Sequence, residues 1–391
     1  MADPSLIESV PPGEELVGPS PSVEDSIITE EGVGAPSTYG SYADLNDSVN
    51  MWGCRPAITE STGTWLRRGW WYTEIDAVVL NRMWKRDDVE FGSDSASTKG
   101  LHVERSDPGA GGNVRFTLGR FLFRDMKNRD HTVEFSAFGG SDFSQSDTLT
   151  SSTGGQTLFV PTSISHFNTA FDGAESMSIY YDSSLSSFEV NYLVKERMGR
   201  DRMMLNPNGE WVRRANKGVT RQFIAGLRYV DLEEHLDWTA DNISSLNNED
   251  GSYNIYTNND LFGMQIGGSM LFENDRWNVE ILGKGGPFLN DAKARSRMTV
   301  TDATATSGIS ADNSYLVENR ESSLAFVGEF RLVARYHLRP NLSLRAGWQM
   351  MYITSVATAP DQANFSPDEG RFPYTGDPFY NGAIFGFESY W

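Results

Sequence analysis

The sequence predicts an all-β fold, specifically a transmembrane antiparallel up-and-down β-barrel of about ten strands. Apolar and polar residues alternate with a period of two over long runs, most clearly from Leu324 to Tyr352. This period is typical of strands, because successive side chains point to opposite faces. The runs reach roughly twelve residues, which suits the about nine to eleven that a tilted strand needs to cross a bilayer.

Two further observations favour a membrane barrel. Trp348, Tyr352 and Tyr336 lie toward strand ends, where aromatic side chains meet the membrane–water interface. No apolar run approaches the roughly 18 residues of a transmembrane helix, so a spanning structure has to be a closed barrel. The alternative at this point is a soluble secreted β-sandwich that binds a ligand through its loops.

The alternation continues along the chain and predicts ten strands in order. They fall at 70–79, 114–119, 131–137, 187–195, 222–229, 262–272, 277–284, 324–336, 342–352 and 383–391. Ten is even, as expected for a bacterial single-chain barrel. Twelve strands result if 176–182 or 203–213 also forms strand.

The segments between these strands alternate in predicted length. Long segments rich in Asp, Asn, Ser, Thr and Gly lie at 85–112, 141–175, 233–258, 285–319 and 356–380. Short turns are predicted at 125–129, 273–276 and 337–341, with 197–217 as a longer member of the second set. Long outer loops opposite short periplasmic turns are typical of outer-membrane barrels, and this pattern places both termini on the periplasmic side.

The N-terminal segment differs in composition from the rest of the chain. Residues 1–54 contain ten acidic residues and no Lys or Arg, with several prolines among Gly and Ser. Such a segment buries too little apolar surface to offset its ordering entropy. We therefore expect a disordered acidic tail and lead-in at 1–65 and a barrel at 66–391.

The net charge, the single cysteine and the first residues bear on the partners of the protein and on its location. The net charge of −20 argues against nucleic acid as a partner. The single cysteine, Cys54, leaves no intrachain disulfide. The first residues lack the basic and apolar regions of a signal peptide, although a barrel in a bacterial outer membrane requires export.

Several motifs carry a resemblance to a known family. The chain ends on Phe385-Gly386-Phe387-Glu388-Ser389-Tyr390-Trp391, similar to the C-terminal signature of bacterial outer-membrane barrels. The stretches 187–191, 225–229, 257–267 and 344–348 resemble outer-membrane β-barrel proteins of planctomycetes. The resemblance implies a barrel in the outer membrane, with outer-membrane lipid and the barrel-assembly machinery as partners, the latter through the strand ending at Trp391. It implies no activity and no site residues.

The polar face of the strands supplies the candidate functional residues. Its charged members form a predicted lumen charge network of Glu74, Asp76, Glu134, Glu189, Arg228, Glu280, Lys284, Glu329, Arg331, Arg335 and Arg345. A ten-stranded barrel is nearly filled by side chains, and buried charges need partners. We expect an occluded lumen with ion pairs, in which Arg345 faces Glu329 or Arg331. A narrow selective pore is the alternative.

No catalytic constellation is apparent. The histidines His102, His131, His166, His235 and His337 are scattered without ligand or triad spacing. We therefore expect a structural or narrow small-solute porin, with no enzyme activity, cofactor or metal. An outer-membrane hydrolase using loop carboxylates and a histidine is the least favoured alternative. Oligomeric state and solute are not predicted.

Overall fold

The structure is a computed structural model, and it describes most of the chain from residue 71 to residue 391. Within that range it leaves out 84–89, 96–98, 104–108, 128, 153–157, 161–167, 199–201, 206–210, 215–217, 242–248, 275–276, 303–314, 340 and 364–372. The predicted acidic tail at 1–65, with Cys54, therefore lies outside the described residues.

Fifteen strands, one short α-helix and one 3-10 helix (Pro360–Gln362) are described. The strands are β1 (Trp71–Met83), β2 (Glu90–Asp94), β3 (Gly100–His102), β4 (Gly111–Arg124), β5 (Arg129–Thr150), β6 (Leu158–Phe159), β7 (Ser176–Arg197), β8 (Arg202–Leu205), β9 (Trp211–Arg214), β10 (Val219–Asp241), β11 (Glu249–Glu273), β12 (Trp277–Asp302), β13 (Tyr315–Arg339), β14 (Leu342–Thr354) and β15 (Phe379–Tyr390). The helix α1 spans Asn168–Phe171. Among the described residues, no helix has both the length and the apolar character needed to cross a lipid bilayer.

Ten strands close into one barrel, in the order β1-β15-β14-β13-β12-β11-β10-β7-β5-β4, with β4 returning to β1. All neighbours are antiparallel. The predicted fold class and the count of ten are confirmed, and the two-sheet sandwich is wrong. Neither of the two segments that would have given twelve strands adds a strand to the barrel. Residues 176–182 are part of β7, and the described part of 203–213 lies in β8 and β9, which pair with each other in a separate sheet.

The barrel wall is much taller on one side than on the other. A tall wall of β5, β7, β10, β11, β12 and β13 has strands of 22 to 26 residues. A short wall of β14, β15, β1 and β4 has strands of 12 to 14. The prediction of roughly twelve-residue strands holds for the short wall alone. The long loops predicted at 141–175, 233–258 and 285–319 are shorter than expected, because β5 continues to Thr150, β10 to Asp241 and β12 to Asp302, while β11 already begins at Glu249 and β13 at Tyr315.

Gly140 marks the height at which the two walls part. Pairing of β4 with β5 ends at Val114 and Gly139, and the β5–β7 register shifts between Phe138 and Ser141. Gly140 lies in that bulge with φ +97°, a conformation that a side chain disfavours. Above the bulge β5 continues beside β7 and leaves β4.

The part of the barrel nearer the short connections and the C-terminus carries an apolar belt on its outer face. Every barrel strand contributes an exposed apolar side chain to it, among them Val79, Phe116, Phe135, Val190, Leu227, Ile266, Ile281, Phe330, Met350 and Phe385. An exposed apolar band around a closed barrel is typical of barrels that span a membrane. We call the end of the barrel with the short connections and the C-terminus the turn end, and the opposite end the loop end.

Above the belt the two faces exchange character within single strands. In β10 the outward residues near the turn end are apolar, namely Phe223, Ala225, Leu227 and Tyr229. Farther along they are Asp231, Glu233, His235 and Asp237. The inward residues change in the opposite sense, from Arg228 to Val230, Leu232, Leu236 and Trp238. The loop end is thus polar outside and apolar inside, as in a water-soluble β protein.

An apolar plug fills the interior of the loop end. Phe91 of β2, Leu101 of β3 and Phe171 of α1 are fully buried there against Trp238 and Tyr253 of the tall wall. A second buried cluster follows toward the turn end and includes Leu80, Phe138, Leu232, Phe288, Met351 and Tyr380. The connections on this side therefore fold into the barrel.

Candidate functional site in the barrel lumen

At the level of the apolar belt, Glu329 of β13 is the centre of a buried ion network. Its carboxylate accepts a hydrogen bond from Arg228 of β10 at 2.7 Å. Arg115 of β4 lies 3.4 Å from this carboxylate, Lys284 of β12 lies 3.5 Å from it, and Arg331, on β13 like Glu329, lies 3.1 Å from it. Cations from four strands thus converge on one carboxylate in the lumen.

Glu189 of β7 balances part of this positive charge. Its carboxylate lies 3.4 Å from Arg228 and accepts a short hydrogen bond from Lys284. It also accepts hydrogen bonds from Asn191 and Gln265, both at 3.0 Å. Buried charges are stable only when such partners replace water. Glu189 and Glu329 together satisfy that requirement for Arg228 and Lys284.

A second ion cluster lies nearer the turn end, around Arg335 of β13. Its guanidinium donates to Glu280 at 2.5 Å and lies 3.2 Å from Glu388 and 3.6 Å from Glu74. Glu134 lies apart from this cluster and accepts a hydrogen bond from the Tyr72 hydroxyl at 2.6 Å.

Arg345 contacts other partners than the sequence suggested. Its guanidinium pairs with Glu74 and lies 3.3 Å from Asp76, both on β1. Along the β13–β14 ladder Arg345 lies opposite Arg335, and Glu329 lies opposite Met351. The expected contact with Glu329 or Arg331 is therefore wrong, because the register separates them along the barrel.

All eleven sequence-predicted charged residues lie on the inward face, and the structure gathers ten of them into the two ion clusters. Sequence reasoning missed Arg115 and Glu388, although both occupy inward positions of the same alternation. It also missed Arg82 and Glu234, which form a fully buried pair at 2.5 Å in the loop-end half. Glu234 lies between Leu232 and Leu236 on the same inward face of β10. This period of two was present in the sequence, but in a segment that was predicted as a loop.

The turn end of the lumen holds a small cavity of about 110 Å³. It is lined by both signs of charge, including Glu134, Lys195, Arg335 and Glu388, and by the Tyr390 ring. A polar cavity of this size has room for several water molecules. The lumen therefore passes from a small polar vestibule, through the ion network, to the apolar plug.

The histidines of the described part of the chain lie in separate places. His235 lies on the outer wall between Asp182 at 3.4 Å and Asp237 at 3.3 Å, and His102 is 4.0 Å from Glu90. His337 hydrogen-bonds Ser343 in the lumen at 2.7 Å, and His166 lies outside the described residues. No group of three or more His, Cys, Asp or Glu residues suited to a metal ion occurs among the residues that the structure describes.

A closed ten-stranded barrel with an apolar outer belt and a charged lumen defines a porin-like outer-membrane protein. The family model described as "Putative beta barrel porin-7 (BBP7)" matches residues 92–379. The chain belongs to this family of β-barrel porins. No curated protein sequence matches the chain.

Three solved structures show partial similarity to the chain at low sequence identity. The toluene transporter TodX of Pseudomonas putida is 10% identical, with 85% of this chain and 92% of that chain covered and a TM-score of 0.19. The toluene transporter TbuX of Ralstonia pickettii is 8% identical, with coverages of 85% and 92% and a TM-score of 0.16. An anion-selective porin from Comamonas acidovorans is 9% identical, with coverages of 82% and 99% and a TM-score of 0.13.

Proposed function

We propose that the protein is a narrow small-solute porin of the bacterial outer membrane whose lumen is closed at rest. The observation that supports this proposal is the ion network on Glu329, to which cations from β4, β10 and β12 extend. A ten-stranded barrel leaves room for side chains and little else. Paired charges of both signs fill that room, and the apolar plug covers the loop-end side. The proposed function involves no catalytic step.

Planar-bilayer recording of the full chain, extracted and reconstituted from detergent, tests the closed state. We expect no steady current, with brief small openings whose frequency rises with voltage. Large steady currents from the unmodified protein would contradict closure. Complete silence at every voltage would instead favour the second candidate function, a purely structural barrel, which the dense ion pairing also suits.

The outer-membrane location rests on the apolar belt and the C-terminal strand. Trp391 is 63% exposed and stacks on Trp71 with ring centroids 5.9 Å apart. We propose that outer-membrane lipid covers the belt, and that the barrel-assembly machinery binds β15. The test is a gel in which the unboiled barrel migrates differently from the boiled chain. A protein that stays soluble without detergent would contradict this location.

The resemblance of 257–267 and 344–348 to outer-membrane barrels of planctomycetes also supports the proposed outer-membrane location. The domain division into a disordered tail at 1–65 and a barrel from 66 also remains a proposal. Limited proteolysis of the intact membrane-embedded protein tests it. The tail should be removed rapidly, and the first resistant fragment should begin close to Trp71.

A further inference from the structure

The segment Ser355–Ala363 follows β14 and crosses the inside of the barrel. We call this segment the strap. Val356, Ala357, Thr358, Ala359 and Pro360 are all buried. Ala359 belongs to the apolar plug at the loop end, and Val356 belongs to the second buried cluster nearer the turn end. The strap therefore joins these two clusters. From Ser355 to Pro360 its side chains are small, and each buries little apolar area.

Inward polar side chains of the tall wall hold the strap by its backbone. The amide of Asn259 accepts from the Ala357 N–H and donates to the Ala357 carbonyl, both at 2.8 Å. Glu234 accepts from the Ala359 N–H at 2.8 Å, and Asn290 donates to the Ser355 carbonyl at 3.2 Å. Val356 also exchanges two backbone hydrogen bonds with Gly376, at 3.1 and 2.9 Å. The strap is therefore fixed largely by hydrogen bonds, which water can replace once the segment moves.

The strap begins at a strained residue. Ser355 has φ 58° and is the only non-glycine residue in the left-handed region within the described part of the chain. The left-handed conformation is unfavourable for a residue with a side chain. It turns the chain inward at the point where β14 stops. An extended Ser355 would instead let β14 continue along the wall.

A strand edge runs alongside the path that such a continuation would follow. Pairing between β13 and β14 ends at Phe326 and Thr354, although β13 itself begins at Tyr315. From Tyr315 to Ala325, no described residue pairs with β13 on its β14 side. Unpaired strand edges present N–H and C=O groups that favour a further strand. Continuing the observed register sets Ala357 opposite Ser323 and Ala359 opposite Glu321.

We infer that the strap is a two-state gate with Ser355 as its hinge. In the closed state seen here it lies across the lumen on Asn259, Glu234 and Asn290. In the open state it extends β14 beside the upper part of β13 and leaves the lumen. Two alternative partners for one segment are what a bistable element requires. Its meaning as a gate rests on the proposed pore function, whereas the change of partner does not.

Disulfide trapping in the full chain tests this inference without measuring transport. The background is Cys54→Ser, which removes the single native cysteine. Glu321→Cys with Ala359→Cys should crosslink under mild oxidation, because these positions face each other only in the extended register. Arg320→Cys with Ala359→Cys, on the opposite face of β13, is the matched control. Ala334→Cys with Ala346→Cys, a directly paired set, reports on oxidation and folding.

Substitutions at the hinge should move the crosslinked fraction in opposite directions. Ser355→Val, whose branched side chain disfavours a positive φ, should raise the Glu321–Ala359 crosslink severalfold. Ser355→Gly removes the strain and should lower it. No crosslink above the Arg320 control in the Ser355→Val variant, with Ala334–Ala346 fully crosslinked, would overturn the two-state strap. A positive crosslink in a protein that never conducts would retain the strap and reject the pore.

Discussion

Arg228 and Glu329, on β10 and β13, are separated by two strands of the barrel wall yet hydrogen-bond at 2.7 Å inside the lumen. Both side chains are essentially removed from solvent. A contact of this kind spans part of the lumen cross-section, which a ladder contact between neighbouring strands would not. It therefore contributes to the stability of the barrel, and it supports the proposed closure of the lumen.

Removing one member of this pair should be costly. We expect Arg228→Met to lower the free energy of unfolding by about 3–5 kcal/mol, because Glu329 and Glu189 lose a buried cation. Urea unfolding of the reconstituted barrel, followed by tryptophan fluorescence, measures the change. The double variant Arg228→Met/Glu329→Gln should lose less than the sum of the two single variants. Additive losses would show that the two side chains are not coupled.

Arg345 gives a separate prediction in the turn-end cluster. Arg345→Ala should destabilise the barrel by about 3–5 kcal/mol, because Glu74 and Asp76 lose the guanidinium that pairs with them. Arg345→Lys keeps the charge and should recover part of the loss. Both are measured by the same urea unfolding. A change in ion preference with unaltered stability would argue for an open channel instead.

The outward face offers a matched pair on one strand. Leu332 lies near the middle of the apolar belt, and Ser322 lies ten residues nearer the loop end on the same exposed face. Leu332→Arg should cost about 2–4 kcal/mol, as for a charge at the bilayer midplane. Ser322→Arg should change stability by no more than about 0.5 kcal/mol. Equal costs, measured by unfolding in lipid vesicles, would contradict the position of the belt.

Leu344 refines the same assignment. It pairs with Tyr336 and Phe387 close to the turn end, so it lies near the membrane interface. Leu344→Arg should therefore cost only about 0–1 kcal/mol, less than the substitution at Leu332. The sequence does not distinguish the two leucines, since it shows which face of a strand a residue occupies but not its depth in the membrane.

The turn between β4 and β5 should contribute a pH-dependent term. Asp125 accepts the backbone N–H of Arg129, with further contacts from the Arg129 guanidinium and the His131 ring, and these hold its pKa well below the ordinary value. The unfolded chain then binds a proton more readily than the folded one. The stabilisation is present above the ordinary carboxyl pKa of about 4 and is lost as the pH falls through the folded value.

Asp125→Asn isolates this contribution. The unfolding midpoint of the native chain should exceed that of the variant at about pH 6, and the difference should shrink toward about pH 3. Low salt is needed, because exposed charges are screened. A difference that stays constant with pH would assign the effect to the hydrogen bonds of the turn rather than to the charge.

The alternation of residues predicted the barrel, the count of strands and the inward face of the eleven lumen charges. Strand length could not be predicted in the same way. In β10 the residues beyond Tyr229 keep the phase of two, but the polar members now face outward, so that Asp231 to Asp237 resemble a loop in composition. Apolar residues at Leu232, Leu236 and Trp238 were the remaining signal of a strand.

Partners across the lumen were also beyond local pattern. Arg345 meets Glu74 because β14 and β1 both pair with β15, in a register fixed by closure of the whole barrel. The inward course of the strap depends likewise on Asn259, Glu234 and Asn290, which are remote in sequence. Such contacts follow from the tertiary arrangement, and the alternation of apolar and polar residues along the chain does not reveal them.

The exchange of faces between belt and loop end makes a last prediction, on two tryptophans. Trp238 of β10 points inward at the loop end, is fully buried, and contacts Phe171 with ring centroids 4.2 Å apart and Phe91 at 5.5 Å. Trp348 of β14 points outward in the belt and is 44% exposed. Trp238→Ala should cost about 3–5 kcal/mol, because it leaves a cavity in the plug that the rigid wall cannot close.

Trp348→Ala should cost much less than Trp238→Ala in lipid vesicles, because lipid chains can occupy the space that the ring leaves. The order should be the same in urea unfolding and in protection of β10 amides from hydrogen exchange. A larger loss at Trp348 would mean that the loop-end interior is not a packed core. The plug would then not support the tall wall, and the closure of the lumen would rest on the ion network alone.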